Sequence, residues 1–447
     1  VSTLRHRLAA GFYAALILLG HTLAASFAAD PNRDSLDGAI AVLRPFAGET
    51  VQGVDASTLD AKIMCGYQGW FTTPGDGSDR GWSHYERRGK FEPGRCNIDL
   101  WPDTSELDAD EKIATAFRNA DGSIAPVFSS HNRKTVLRHF RWMRDYGIDG
   151  VFVQRFAVET FHPRNLFHFN TVLTYCREGA NLNGRAYAVM YDLSGLQADQ
   201  IPRVIEDWKR LVSQMKLGRD PADKAYLRHK GKPVVAVWGV GFNDNRRYTL
   251  ADCETLIRFL KDDPEAGGFT VMVGTPTGWR TLDRDCSPDP KLHDVLKLAD
   301  IISPWTVGRL GNAKDVENHV RRCLAPDLEW CQKNGKDYLP VAFPGFSWHN
   351  MRPEAKSDQI PRLKGQFLWS QYAAYRKAGA TMFYQAMFDE MDEATAIFKC
   401  TNTPPVGASQ FLNLEGLPSD HYLWLTGMGG NLLRGEVKAE DGMPTRK

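Results

Sequence analysis

The stretch TVLRHFRWMRDYGIDGVFVQRF, residues 135–156, sets a helix and a strand back to back. Val136, Phe140, Met143 and Tyr146 recur at three- and four-residue steps, which places them on one face of a helix. Gly147 falls where a helix needs a left-handed residue to stop. GVFVQRF (150–156) then reads as a strand. It is short and largely apolar without alternation, the pattern of a parallel sheet covered on both faces.

The same unit recurs on either side. KIMCGYQGW (62–70) precedes it; AYAVMYDL (186–193), KPVVAVWGV (232–240), GFTVMVGTP (268–276), DIISPWTV (300–307), YLPVAFPGF (338–346) and TMFYQAMF (381–388) follow, with helical segments between them. Alternating strands and helices give a closed barrel or an open doubly wound sheet. Eight strands is the barrel number, and no GxGxxG follows the first strand to favour a dinucleotide-binding open sheet. The expected fold is α/β, a (β/α)8 TIM barrel in one domain over residues 61–435. A leader at 29–60 carries one short helix around LDGAIAVLRPFAG, and a flexible tail occupies 436–447. The long segment after the first strand, 71–134, is rich in Gly, Pro, Asp and Trp and belongs on the face where the strand C-termini open.

Composition excludes several classes. The 447 residues carry 55 basic and 54 acidic side chains, a net charge of +1, so nothing draws the chain to nucleic acid or an anionic membrane. Arg5, His6 and Arg7 precede an apolar run that ends in Ser26 and Ala28, which reads as a signal peptide over 1–28 cleaved after Ala28. The expected location is secreted or periplasmic, with no stable membrane insertion after cleavage. Eight cysteines form no CxxC pair, which argues against a zinc ribbon or thioredoxin-like motif; export would permit disulfides, and Cys65 reads as a buried thiol. The twelve histidines lack ligand spacing, so neither a metal nor another cofactor is expected. GxSxG, HExxH and GxxxxGK[ST] are absent. The oligomeric state is open.

The strand ends collect a distinctive set of side chains. The first strand and its loop supply Tyr67, Gln68, Trp70, Trp82 and His84; the second Gln154 and Arg155; the third Tyr191 and Asp192. Trp238, Trp305 and Trp348 follow later strands, and the eighth ends in FDEMDEATAIF, with Asp389, Glu390, Asp392 and Glu393 within five positions. Trp238 and Trp305 could equally be core, and Arg155 could pair with Asp192 as a brace at the rim. Crowded carboxylates raise one another's pKa. A mouth lined by indoles with paired acids at its floor suits carbohydrate cleavage, which needs a protonated acid at the leaving oxygen and a second carboxylate at the sugar.

FDEMDEATAIF resembles the F-N-E-W-x-E-G-T-x-I-E signature of glycoside hydrolase family 99, the endo-acting α-mannosidases and α-mannanases, to which family 71 is distantly related. CGYQGWF…GWSHY is similar to that family's Y-Y-x-W-Y-G and W-x-H-W segments, FSSHNRKTVLRHFRWMRDYGIDGVFVQRF to its second-strand region, and VAFPGF to V-x-P-G-Y. The order is shared over about 63–398, and the whole resembles proteins described as glycoside hydrolase family 71/99-like. The resemblance implies a retaining (β/α)8 hydrolase without a metal, acting on an α-linked glycan. Glu390 would be the base toward the sugar 2-hydroxyl and Glu393 the acid. The signature Asn is Asp389 here, Trp is Met391, Gly is Ala394 and the last Glu is Phe398; S-W-Y on strand two is Gln154-Arg155-Phe156. Arg155 at the mouth could then meet an anionic sugar substituent. The sugar, its linkage and endo or exo action stay open. So do a non-catalytic carbohydrate-binding protein on the same fold and a metal-dependent hydrolase.

Overall fold

The structure is a computed structural model that describes residues 34–446; the expected signal segment 1–28 lies outside the described residues. A short helix α1 (Leu36–Ile40) starts the described chain and packs on the helix that carries Asn170, whose side-chain amide donates to the carbonyl of Ala39 at 2.8 Å. The sheet strands are β1 (Ile63–Tyr67), β2 (Gly150–Phe156), β3 (Ala186–Asp192), the hairpin strand β4 (Arg228–His229), β5 (Lys232–Trp238), β6 (Thr270–Thr275), β7 (Ile301–Pro304), β8 (Asp337–Tyr338), β9 (Val341–Ala342) and β10 (Phe383–Gln385). The helices after α1 are α2 (Arg133–Tyr146), α3 (Pro163–Asn183), α4 (Ile201–Gln214), α5 (Leu250–Asp262), α6 (Lys291–Leu298), α7 (Ala313–His319), α8 (Ala325–Lys333), α9 (Gln366–Lys377) and α10 (His421–Arg434).

α2 forms as its sequence dictates. Asn132 caps its first turn through the Lys134 amide, and Gly147 ends it at φ 72°. All strands except β4 run parallel, in the order β8-β7-β6-β5-β3-β2-β1-β10-β9. β8 and β9 are two halves of one segment, the expected seventh strand. β8 pairs with β7, and β9 pairs with β10, so residues 337–342 close the ring. Pro340 splits them because it has no N–H to donate. The Leu339 amide still reaches the Ile302 carbonyl at 3.0 Å, and the Pro340 carbonyl accepts from the Tyr384 amide at 2.9 Å. This is the (β/α)8 barrel.

Register decides which side chains enter the barrel. Gln154 pairs with Met190 and Met190 with Ala236; one step on, Arg155 pairs with Tyr191; one step further, Phe156 pairs with Asp192 and Asp192 with Trp238. Successive residues of a strand point to opposite faces. The first and third of these layers face inward and the middle one faces the helices. On β1 the inward residue is Gly66, where a Cβ would lie 2.1 Å from the Met387 side chain and 2.3 Å from the Tyr384 hydroxyl.

The segment 71–132 contains no helix or regular strand. It folds as a loop mass over the strand C-termini around Tyr85, Phe91, Trp101, Phe117 and Phe128, whose rings contact one another in turn. All eight cysteines are free and buried, Cys65 among them, and among the described residues no helix is long and apolar enough to cross a membrane.

Candidate active site

The turn after β10 carries the acids, and its neighbours treat them differently. Glu390 is 5% exposed and accepts from the side-chain amide of Gln68 on one oxygen and from the Thr395 hydroxyl, at 2.5 Å, on the other. Burial pushes its carboxyl up, and the charges of Glu393 and Asp392 push it further, while the two donors oppose the shift. Glu393 is only partly buried, and no side chain among the described residues donates to its carboxyl. Burial and then the Asp392 charge push it up to about 7. The pair therefore holds a proton at neutral pH. The donors favour charge on Glu390, but burial and the two neighbouring charges outweigh them, so its carboxyl is raised further than that of Glu393.

The other two acids serve the frame. Asp389 lies fully buried beneath the first-strand loop, where its oxygens accept the backbone amides of Gln68 at 2.7 Å and Gly69 at 2.9 Å; burial lifts it to about 7. Asp392 is buried. One oxygen meets Nδ1 of His84 at 3.0 Å, and the other has no partner among the described residues.

Glu390 and Glu393 open into an inner cavity of about 260 Å3 lined also by Gln68, Trp70, Gln154, Phe156, Met190, Asp192, Ser194, Trp238, Trp305 and Met387. An outer cavity of about 660 Å3 shares Ser194, Trp238, Trp305 and Glu393 with it and adds Phe242, Arg246, Arg309, Phe346 and Trp348. Trp238 and Trp305 meet edge to face at 5.5 Å, and the Arg246 guanidinium lies 4.9 Å from the Trp238 ring while both oxygens of Asp244 hold it. Asp99, in the segment 71–134, accepts from the Ser347 hydroxyl and from the amides of His349, at 2.7 Å, and Asn350, at 2.8 Å. It thereby fixes the loop that carries Trp348.

Nine of the residues read from sequence line these cavities: Gln68, Trp70, Gln154, Asp192, Trp238, Trp305, Trp348, Glu390 and Glu393. Trp70 offers an edge and not a flat platform. It is 9% exposed, its indole stacks on His84 at 3.7 Å and on Phe156 at 5.1 Å, and its Nε1 has no partner among the described residues.

Other expected site residues lie elsewhere. Tyr67 faces α2, its hydroxyl 2.9 Å from His139 Nδ1. Tyr191 gives its hydroxyl to Asp207. Trp82 packs on Phe91 at 5.0 Å within the loop mass. Arg155 is neither at the mouth nor paired with Asp192. It is 2% exposed and binds Asp207 of α4 through Nε at 2.5 Å and Nη2 at 2.6 Å, with Asn170 of α3 at 2.8 Å. Tyr67, Arg155 and Tyr191 each stand one residue out of phase with an inward neighbour, and period-two alternation is the signal that separates them. Phe156, Met190, Met387 and Arg246 go beyond the expected set. Phe156 and Met190 follow from that same alternation; Met387, three steps from the inward Tyr384, does not, and Arg246 sits on a loop that carries no such signal. Among the described residues no group of three or more His, Cys, Asp or Glu side chains converges as a metal would require.

The barrel is similar to solved structures. The family GH99 endo-α-mannosidase from Bacteroides thetaiotaomicron superposes with a TM-score of 0.61 at 17% identity, over 86% of this chain and 100% of that one. The same enzyme in complex with bis-tris-propane gives 0.58 at 16% identity, over 86% and 100%. These likenesses establish the fold. No protein-family model and no curated protein sequence matches the chain.

Proposed function

We propose that the protein is a glycoside hydrolase acting on an α-linked oligo- or polysaccharide, with Glu390 as base and Glu393 as acid. The observation that carries the reading is the unequal hydrogen bonding of two neighbouring carboxyls at the mouth of the barrel. Gln68 and Thr395 both donate to Glu390, and no side chain among the described residues donates to Glu393. Donors stabilise the charged form of a carboxyl, the form a base needs, and a carboxyl without them gains no such help in releasing its proton. Asp192, raised by burial, and the indole edges of Trp70, Trp238 and Trp348 supply polar partners and apolar surface for a sugar ring.

The resemblance of the turn to the family 99 signature supports retention. Glu390 then takes the proton of the sugar 2-hydroxyl while Glu393 protonates the leaving oxygen. The basic and apolar residues before Ala28 support action outside the cytoplasm. A panel of α-glucans and α-mannans tests the reading. Turnover with retained anomeric configuration by NMR is expected, and it falls by roughly 10²–10⁴ in Glu390→Gln and in Glu393→Gln. Binding without turnover across the panel, or near-normal rates in either variant, removes the assignment.

A further inference from the structure

We infer, resting on the hydrolase reading above, that Arg362 is a positioning residue for the acid turn: its guanidinium fixes the backbone on both sides of Thr395, so that the Thr395 hydroxyl stays on Glu390.

Arg362 follows the wall of the outer cavity. Ile360, two residues before it, exchanges backbone hydrogen bonds of 3.0 Å with Phe346, and both residues line that cavity. From there the Arg362 side chain turns into the protein, and the residue is 5% exposed. A buried guanidinium normally meets a carboxylate, because an unpaired charge away from water is costly. Among the described residues no carboxylate pairs with this one. Nη2 donates instead to the carbonyls of Ala394, at 2.8 Å, and Ala396, at 2.6 Å, while Nε and Nη1 have no partner among the described residues. The ring of Tyr422, on α10, covers the guanidinium at 4.4 Å. The hydrogen bonds of this group thus go to the acid turn alone, one on either side of Thr395.

The turn is of a kind that needs holding. Ala394 stands at φ 51°, in the left-handed region that a Cβ disfavours. The amides of Thr395, at 3.1 Å, and Ala396, at 2.9 Å, both donate to the Glu390 carbonyl, and the Thr395 hydroxyl then reaches the Glu390 carboxyl at 2.5 Å. Gly345 makes way for the clamp: a Cβ there would lie 2.7 Å from Cγ of Arg362 and 2.8 Å from the Ile360 carbonyl oxygen. Without Arg362 the two carbonyls lose their shared donor, Ala394 can leave the left-handed region, and the Thr395 hydroxyl moves off Glu390. The titratable groups around Glu390 are Asp389, Asp392 and Glu393 on its own turn, Tyr384 on β10, and Asp192 on β3 across the inner cavity. Arg362 acts on Glu390 through Thr395. Because a donor to the carboxylate favours its charged form, losing that donor raises the pH at which Glu390 ionises.

The test reads Glu390 directly and through the rate. Full-length protein carrying carboxyl-13C glutamate is titrated by NMR, with the Glu390 resonance assigned by its absence from Glu390→Gln. The pH dependence of kcat is measured on the glycan of the panel that turns over fastest. In Arg362→Met the Glu390 midpoint and the acid limb of kcat are expected to move upward as they do in Thr395→Val, with no further move in the double variant. The loss of one hydrogen bond to a charged group should lower kcat roughly tenfold. Arg362→Lys, whose ammonium can still donate to both carbonyls, is expected to restore most of kcat and return the limb. Where Arg362→Met does not fold, Gly345→Ala, which displaces the Arg362 stem and keeps its charge, takes its place and should move the midpoint the same way. An unmoved Glu390 midpoint overturns the inference and leaves the hydrolase reading standing. A raised midpoint in a protein that cleaves no glycan of the panel upholds the clamp and removes the hydrolase reading.

Discussion

Gln68 donates its side-chain amide to Oε1 of Glu390, and Asp389 holds the backbone that carries it. One strand end thus sets the charge of the next. A hydrogen bond to a charged group is worth about 1.5–3 kcal/mol. Gln68→Leu should therefore lower kcat by roughly one to two orders of magnitude and move the acid limb of its pH profile upward. An unchanged acid limb would mean that Gln68 does not tune Glu390.

Glu393 is raised by burial and by Asp392 from 4.5 to about 7. As an acid it must be protonated, so activity should fall as pH rises through about 7. The same shift has a consequence for stability. Between about pH 4.5 and 7 the folded chain keeps a proton on Glu393 that the unfolded chain has released, so stability falls as pH rises through that window. Asp389, lifted to about 7 from 3.8, acts in the same direction. Each group contributes up to about 1.4 kcal/mol per pH unit. Melting temperature measured from pH 5 to 8 should decline up to about pH 7 and level off beyond it, and Glu393→Gln should flatten the decline.

Arg155 and Asp207 form an ion pair buried between the sheet and its helices, with Asn170 on the same guanidinium. Removing one partner of such a pair leaves an uncompensated charge and costs about 3–5 kcal/mol. Arg155→Met should lower the melting temperature markedly while the ratio of rates on neutral and anionic glycans stays the same. A stable variant with altered preference would return Arg155 to substrate recognition.

Asp99 reaches the outer cavity only through the loop it holds. Its carboxyl accepts from Ser347, His349 and Asn350, and Trp348 lies among them. Asp99→Ala should raise KM for long glycans several-fold and leave kcat on a short aryl glycoside within about twofold. Equal losses on both substrates would indicate general destabilisation.

The sequence by itself determined the eight strands, because a parallel sheet under helices demands short apolar runs at regular intervals. It located the insertion and the acid turn for a similar reason: charge at the end of a buried strand is out of place unless it faces an opening. Tertiary structure decided the rest. Both faces of each strand are apolar, so hydrophobicity does not mark which residue enters the barrel, and Arg155 and Gln154 look alike in sequence. Register separated them, turning Arg155 to Asp207 and Gln154 to the cavity. The unequal donors on Glu390 and Glu393 come from Gln68, 322 residues away in the chain, and from Thr395, five away. Only the closure of the barrel, β1 against β10, brings the distant donor within reach and so divides the roles of two acids that the sequence presents as equals.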